Sequence, residues 1–156
     1  MNKTLVAEVY RLHGSASVSI PADSPLEDVI GAFIREPSLC GIFLIDSKQR
    51  FVGMVTRVDL IRWAHFNLTG GKERHKIPVS EFFRIVDARK AKDLASGDPR
   101  VLSVKESDNL KAALDKMLDQ EEDVIAVLDS EGRVLGDLRL SEILCWVLTH
   151  GRRIAK

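Results

Sequence analysis

Apolar and polar positions follow the same order in the two halves of the chain. In the first half, an apolar stretch at 18–20 precedes a helical pattern, and two apolar runs at 42–45 and 51–55 flank the polar segment 46–50. A continuous apolar run indicates a strand covered on both faces, and apolar residues three and four apart indicate an amphipathic helix. The pattern therefore predicts strand, helix, strand, hairpin turn, strand and a second helix. The stripe of the first helix consists of Leu26, Val29, Ile30, Phe33 and Ile34.

Local signals mark the ends of these helices. Ser24 is a suitable N-cap, Pro25 suits the first helical position, and Glu27 completes a capping box. We therefore expect the first helix to begin at Pro25 and to end at Pro37. The second helix is predicted from Thr56 to about residue 66.

The second half repeats the same elements. Residues 46–61 align without gaps with residues 129–144, and Asp, Ser, Arg and Gly recur at the same four places. Two copies form a pseudo-symmetric pair, because a solenoid needs three or more repeats. Gly151 stands where a helix C-cap glycine belongs. The predicted elements are strands at 101–104, 124–128 and 134–138 and helices at 109–119 and 141–150.

A different composition separates the halves. Gly70, Gly71 and the polar residues that follow indicate a surface loop, and residues 80–86 have the spacing of a short helix. The sequence therefore predicts one repeat at 1–66, a linker with a short helix at 67–90, and a second repeat at 91–156. In the loop, the basic residues Lys72, Arg74 and Lys76 favour a solvated surface over a phosphate or nucleic-acid contact, because no aromatic residue interleaves with them.

Composition narrows the class of protein. The chain is 45% hydrophobic and 29% charged, and 23 basic residues balance 23 acidic ones. This balance gives no reason to expect nucleic acid or an anionic membrane as a partner. Neither a membrane-spanning run nor a signal-peptide core is present. Cys40 and Cys145 lack Cys-x-x-Cys spacing, so we interpret them as buried thiols in a reducing compartment and expect a cytoplasmic protein.

The sequence contains no recognisable catalytic or metal-binding set. The histidines are scattered, without His-x-x-x-His or His/Cys spacing, and no nucleophile comes with an identifiable base. We therefore expect neither enzymatic activity, nor a metal, nor a required cofactor. The four histidines are His13, His65, His75 and His150.

Residues 53–61 carry a motif, Gly-x-apolar-Thr-x-x-Asp-apolar, that recurs in altered form at 136–144. Two copies of this arrangement resemble a tandem pair of cystathionine β-synthase (CBS) domains, over residues 4–66 and 91–150. Residues 46–56 are also similar to the first such repeat of the regulatory γ subunit of AMP-activated protein kinase. The resemblance implies an α/β fold of two pseudo-symmetric βαββα repeats packed through their sheets, with two clefts related by a pseudo-two-fold axis.

The same resemblance implies a ligand site in the first cleft. In that family the clefts bind adenine nucleotides, S-adenosylmethionine or other adenosyl ligands. By this mapping, Asp59 accepts hydrogen bonds from the ribose hydroxyls and Thr56 contacts phosphate. A carboxylate and a helix N-terminus suit these roles. The main chain that would line the base belongs to Gly41, Ile42, Phe43, Ser17, Val18 and Ser19.

Two interpretations of Thr56 and Asp59 stay open. Thr-x-x-Asp at a helix start is also close to a capping box, which would need no ligand. With the family resemblance included, a ligand site is slightly favoured.

The second half departs from the motif. Arg139 replaces the threonine and Glu142 replaces the aspartate, so we do not expect the second cleft to bind a nucleoside in the usual way. Arg139 either reaches a polyphosphate held in the first cleft or is a surface or interface arginine. Cys40 stands where the kinase subunit's repeat has an arginine, which leaves the number of ligand phosphates open.

The sequence leads to two functional hypotheses. The first is a regulatory module that binds AMP, ADP, ATP or S-adenosylmethionine in the first cleft and signals to a partner protein. The second is a dimerisation or interaction module without a ligand, which the altered second motif and Cys40 favour. Both include a homodimer by resemblance. Its candidate interface, with core packing as the alternative, is Leu60, Ile61, Trp63, Ile143, Leu144, Trp146 and Val147.

Overall fold

A computed structural model describes residues 3–10, 18–72 and 77–150. It contains two three-stranded sheets, each with helices, and both halves have the predicted order of elements. The first half comprises β1 (Ser19–Pro21), α1 (Leu26–Arg35), β2 (Gly41–Ile45), β3 (Phe51–Thr56) and α2 (Arg57–Thr69), and α3 (Val79–Val86) and α4 (Ala91–Leu94) follow. The second half comprises β4 (Ser103–Lys105), α5 (Leu110–Gln120), β5 (Val124–Leu128), β6 (Val134–Arg139) and α6 (Leu140–His150).

The mixed α/β class and the two βαββα repeats are confirmed. The sheet orders are β1-β2-β3 and β4-β5-β6. In each sheet the first strand runs parallel to the central one, and β6 runs antiparallel to β5. Every residue of β2 is buried, as its continuous apolar run predicts.

The predicted capping box at Ser24 is wrong. The helix α1 begins at Leu26, with Pro25 as an N-cap in an extended conformation and without a side-chain cap hydrogen bond. The reason is tertiary, because the backbone of this corner pairs with a segment more than sixty residues later in the chain. Leu26 N–H donates to Arg89 O at 3.2 Å, and Ala91 N–H donates to Ser24 O at 2.7 Å.

In the second repeat, the backbone at the start of α5 pairs in the same way with the N-terminal segment. Leu110 N–H donates to Thr4 O at 2.7 Å, and Val6 N–H donates to Asp108 O at 2.9 Å. Val6 begins a short 3₁₀ helix, Val6–Glu8, which the sequence did not predict. The short helix α4, also missed by the sequence, occupies the corresponding place against the first repeat. Each repeat is thus completed by the segment that precedes the other one.

Contacts divide the chain into two compact units that follow this exchange. One unit contains the described residues 18–47, 52–72 and 77–97, so α3 and α4 fold with the first repeat. The other contains residues 98–150 together with the described residues 3–10 and the turn 48–51. Where one repeat ends and the next begins, at 66 and 91, stays a prediction.

Each unit has its own apolar core. Val29, Ile42 and Leu94 belong to the first core, and Val6 and Ile125 belong to the second. The predicted stripe of α1 is correct except at its end, because Ile34 is 73% exposed while Leu26 and Val29 are buried.

The candidate interface residues fall into two groups. The prediction of Ile143 as an interface residue is wrong, because its side chain is 2% exposed and belongs to a core. Leu60, Trp63 and Trp146 are partly buried and pack against the cores. The residues that stay exposed are Ile61, Leu144 and Val147.

The two thiols differ from expectation, because Cys40 and Cys145 are both partly exposed rather than buried. Several residues singled out from the sequence lie outside the described part of the chain. They are His13, Ser17, Arg74, His75, Lys76 and Gly151.

Candidate functional site

The junction between β3 and α2 forms the capping box that the sequence spacing predicts. Thr56 is the N-cap, and its Oγ1 accepts a hydrogen bond from Asp59 N–H at 3.3 Å. In return, Asp59 Oδ2 accepts from Thr56 N–H at 2.9 Å and from the Thr56 hydroxyl at 3.1 Å. Both residues are buried, with exposed fractions of 3% for Thr56 and 2% for Asp59. One carboxylate oxygen of Asp59 therefore serves the start of α2.

The other carboxylate oxygen faces the segment after α4. Ser96 Oγ donates to Asp59 Oδ1 at 2.6 Å, although the two residues are 37 positions apart in the chain. Arg84 of α3 places its Nη2 3.8 Å from the same oxygen. A buried carboxylate requires such partners, since removal from water without them is costly.

Arg84 links this carboxylate to the surrounding main chain. Its guanidinium donates to the carbonyl oxygens of Asp93, at 3.3 Å, and Ala95, and it forms an ion pair with Glu81 one turn earlier in α3. Burial lowers the pKa of the Arg84 guanidinium, and the negative charge of Asp59 opposes that effect. The arginine nevertheless stays charged at any physiological pH. Arg84 therefore places a fixed positive charge from α3 between the end of α4 and Asp59.

The predicted main-chain wall of the site lies on neighbouring strands. Ser19 is the register partner of Phe43, and Phe43 N–H donates to Val18 O at 3.0 Å. Ile42 and Phe43 are almost fully buried, at 0% and 1% exposed. The structure brings the predicted residues of β1 and β2 together.

Arg57, the first residue of α2, connects the start of that helix with the start of β2. Its Nε donates to Leu39 O at 3.0 Å, and its Nη2 lies 3.2 Å from Cys40 Sγ. Cys40 directly precedes Gly41, the first residue of the predicted wall on β2, so this arginine places a positive charge beside the wall. Arg57 was not predicted as a site residue, because in the sequence it is an ordinary basic residue at a variable position of the motif.

Ser96 and Arg84 were also missed. Ser96 lies in a short irregular segment without hydrophobic periodicity. Arg84 has the spacing of a charged surface residue on an amphipathic helix. Nothing in their local spacing indicates Asp59 as a shared partner.

The corresponding junction in the second repeat has a different charge pattern. Glu142 is 1% exposed, and its Oε1 accepts from Arg139 N–H at 3.0 Å, which reproduces half of the box at Thr56 and Asp59. The Arg139 side chain forms an ion pair with Asp137, with 2.8 Å between Nε and Oδ2. Asp137 occupies the place of Met54 in the first repeat, so the second repeat adds both an acid and its counter-ion.

No group of three His, Cys, Asp or Glu side chains suited to a metal occurs among residues 3–10, 18–72 and 77–150. Within the same residues, no helix is both long and apolar enough to cross a membrane.

Comparison with known proteins identifies both repeats. The family model of the CBS domain matches residues 9–65 and again residues 91–149. No curated protein sequence matches the chain significantly.

Solved structures with the same fold cover nearly the whole chain. A CBS domain-containing protein of Thermotoga maritima is 21% identical, with a TM-score of 0.75, over 96% of this chain and 97% of its own. A CBS domain protein of Pyrobaculum aerophilum, complexed with AMP, is 18% identical, with a TM-score of 0.64, over 93% and 98%. The CBS domain pair of protein MJ0100, in complex with 5′-methylthioadenosine and S-adenosyl-L-methionine, is 15% identical, with a TM-score of 0.67, over 96% and 98%. At these identities the likeness establishes a shared fold.

Proposed function

The chain belongs to the CBS domain family, and from this premise we propose that it is a regulatory module that binds an adenosyl ligand at Thr56 and Asp59. The observation that carries the proposal is the Thr56 hydroxyl paired with the Asp59 carboxylate at the N-terminus of α2, because the second repeat has Arg139 and Glu142 at these two positions. A carboxylate accepts hydrogen bonds from both cis hydroxyls of a ribose, and a helix N-terminus favours a phosphate. AMP, 5′-methylthioadenosine and S-adenosylmethionine, the ligands of the similar structures, all contain that ribose.

The ligand class includes AMP, ADP, ATP and S-adenosylmethionine. The wall residues Gly41, Ile42, Phe43, Ser17, Val18 and Ser19 would hold the base. Arg57 beside Cys40 is a cation near this wall, and Arg139 is a further candidate for a phosphate contact once it leaves Asp137. The second junction, with Glu142, is not proposed to bind a nucleoside.

A regulatory role requires two states with different affinity for the ligand, since a ligand with equal affinity for both shifts neither. We propose that the chain works as a homodimer in the cytoplasm, changes between two such states and acts on a partner protein rather than on a substrate. The exposed apolar residues Ile61, Leu144 and Val147 support the homodimer.

A specific observation favours the alternative, a CBS-pair interaction module without a ligand. Both carboxylate oxygens of Asp59 already have partners within the chain, one in the helix cap and one at Ser96. On this alternative the motif serves only to fold the protein.

Thermal unfolding with a panel of AMP, ADP, ATP and S-adenosylmethionine separates the two functions. A ligand at one hundred times its Kd contributes about 2.7 kcal/mol, which raises the midpoint of a domain of this size by about 5–10 °C. We expect this shift for at least one ligand of the panel. Asp59→Asn should abolish it, measured against the variant's own midpoint without ligand.

Glu142→Gln is the matched control for Asp59→Asn. It removes the corresponding buried charge at the start of α6 and should leave the ligand shift in place. If no ligand of the panel raises the unfolding midpoint of the wild type, the interaction module without a ligand is the better description of the protein. Loss of the shift in both variants would show that the response follows general stability rather than this site.

A further inference from the structure

The two oxygens of the Asp59 carboxylate have separate partners. Oδ2 takes both bonds of the capping box, from the backbone and the hydroxyl of Thr56. Oδ1 takes no part in the cap and accepts from the Ser96 hydroxyl at 2.6 Å. The helix start can therefore persist while the partner of Oδ1 is exchanged.

Ser96 offers Asp59 the same chemical group as a ribose. An aliphatic hydroxyl that donates to a carboxylate forms a short, charge-assisted hydrogen bond, whether it comes from serine or from a sugar. A ribose hydroxyl that donates to Oδ1 would therefore have to take the place of the Ser96 hydroxyl. Two such donors and the nearby Arg84 guanidinium would crowd a single buried oxygen.

The segment that carries Ser96 is suited to movement. It lies between the end of α4 and Gly97, whose φ of +82° is a conformation that glycine adopts without steric cost. Ser96 itself is partly exposed, whereas Leu94 at the end of α4 is buried. The hydroxyl can thus leave Asp59 for water while the core contact of α4 stays in place.

We propose that Ser96 is an internal competitor for the ligand at Asp59, so that binding releases the segment after α4. This inference rests on the proposed function and concerns the regulation of the same site. The Ser96 hydroxyl holds the site closed in the absence of ligand. Its displacement changes the contacts of Arg84, because Arg84 holds both Asp59 and the Ala95 carbonyl beside Ser96. Ligand binding at Asp59 therefore changes the hydrogen bonds of α3, the helix that contains Arg84.

Calorimetric titration of AMP, ATP and S-adenosylmethionine into three proteins tests the competition. Ser96→Ala removes the competing hydroxyl and should bind the responding ligand about tenfold more tightly, the equivalent of about 1.4 kcal/mol. Ser96→Thr keeps a hydroxyl at this position and should bind like the wild type.

The outcomes distinguish this inference from the proposed function. Wild-type binding with equal or weaker binding by Ser96→Ala overturns the competition and leaves the function standing. If only Ser96→Ala binds a ligand, the hydroxyl at position 96 prevents binding in the other two proteins, which supports the competition. No binding by any of the three proteins overturns both.

Hydrogen–deuterium exchange of the wild-type protein gives a second test that needs no variant. We expect the backbone amides of residues 95–97 to exchange faster in the presence of saturating AMP, or of the ligand that binds in the titration. Slower exchange would mean that Ser96 stays in place and contacts the ligand, which contradicts displacement.

Discussion

Asp59 combines a folding role and a proposed binding role in one side chain. Its Oδ2 caps α2, and its Oδ1 is the oxygen that Ser96 contacts and that the proposed ligand would use. The capping alternative raised by the sequence is therefore present as local structure. A capping bond on one oxygen does not occupy the other, so the two interpretations describe different atoms.

We predict that Asp59→Asn lowers stability even without ligand. The amide loses the charge that strengthens the bonds from Thr56 and Ser96, and hydrogen bonds to charged groups contribute about 1.5–3 kcal/mol. The midpoint of thermal unfolding should fall by about 3–12 °C. Asp119→Asn removes an exposed charge and should change stability by less than about 0.5 kcal/mol. Equal midpoints for both variants would contradict the structural role of Asp59.

At the scale of secondary-structure elements, hairpin turns and helix ends depend on the backbone conformation of single residues. Gln49 and Glu121 both have positive φ, 65° and 53°, without being glycine. In the turn of the second repeat, the position that corresponds to Gln49 is Gly132, with φ of 83°. The repeats therefore satisfy the same turn geometry with different residues.

Glu121 ends α5 in the left-handed conformation, and the next amide, Glu122 N–H, donates to Met117 O at 3.0 Å. Glycine is favoured at such a position, because other residues pay a steric cost of about 1 kcal/mol or more. We expect Glu121→Gly to raise the free energy of unfolding by about 0.5–1 kcal/mol, measured by urea denaturation.

Glu122→Gly is the matched control, since it introduces the same residue one position later, where φ is not positive. That substitution should lower stability by a similar amount. A loss of stability in both variants would show that the left-handed cap at residue 121 carries no strain.

At the scale of the whole molecule, the chain order and the compact units do not coincide. The N-terminal segment folds with the second repeat, and α4 folds with the first. Val6 and Val9 are fully buried in the second core although they lie near the start of the chain, before β1. The N-terminal segment is consequently part of a repeat that begins some ninety residues later.

We predict that Val6→Ala lowers the free energy of unfolding by about 2 kcal/mol, through loss of buried methyl groups and the cavity left behind. Leu5→Ala, at a neighbouring residue that is 40% exposed, should cost less than half as much. Urea denaturation measures both. Equal losses would contradict the placement of Val6 in the second core.

The proposed homodimer also belongs to this scale. Corresponding positions of the repeats carry exposed apolar residues, with Ile61 and Leu144 at 65% and 53% exposed and Ile34 and Leu118 at 73% and 74%. A contiguous patch of exposed apolar residues marks a protein interface, so we test the homodimer at Ile61 and Leu144.

We expect sedimentation analysis to find a dimer of the wild type and a shift toward monomer for the double variant Ile61→Glu, Leu144→Glu. Val86→Glu, at an exposed apolar residue of α3 outside the proposed interface, should stay dimeric. A monomeric wild type, or a dimer that withstands both substitutions, would remove this interface.

The sequence by itself determined the features that depend on neighbours within a few positions. The spacing of apolar residues predicted the βαββα repeats, and Thr56 and Asp59, three residues apart, predicted the capping box. These features follow from the periods of helix and strand, which a sequence displays directly.

Only the tertiary structure decided which distant groups meet. It moved the start of α1 to Leu26, because residues 89–91 pair with that corner, and it placed Ser96 and Arg84 at Asp59. The sequence does not display such contacts, since they join residues that only the packing of α3 and α4 brings together. The helix cap was thus local information, whereas the partner of its second carboxylate oxygen was set by the fold.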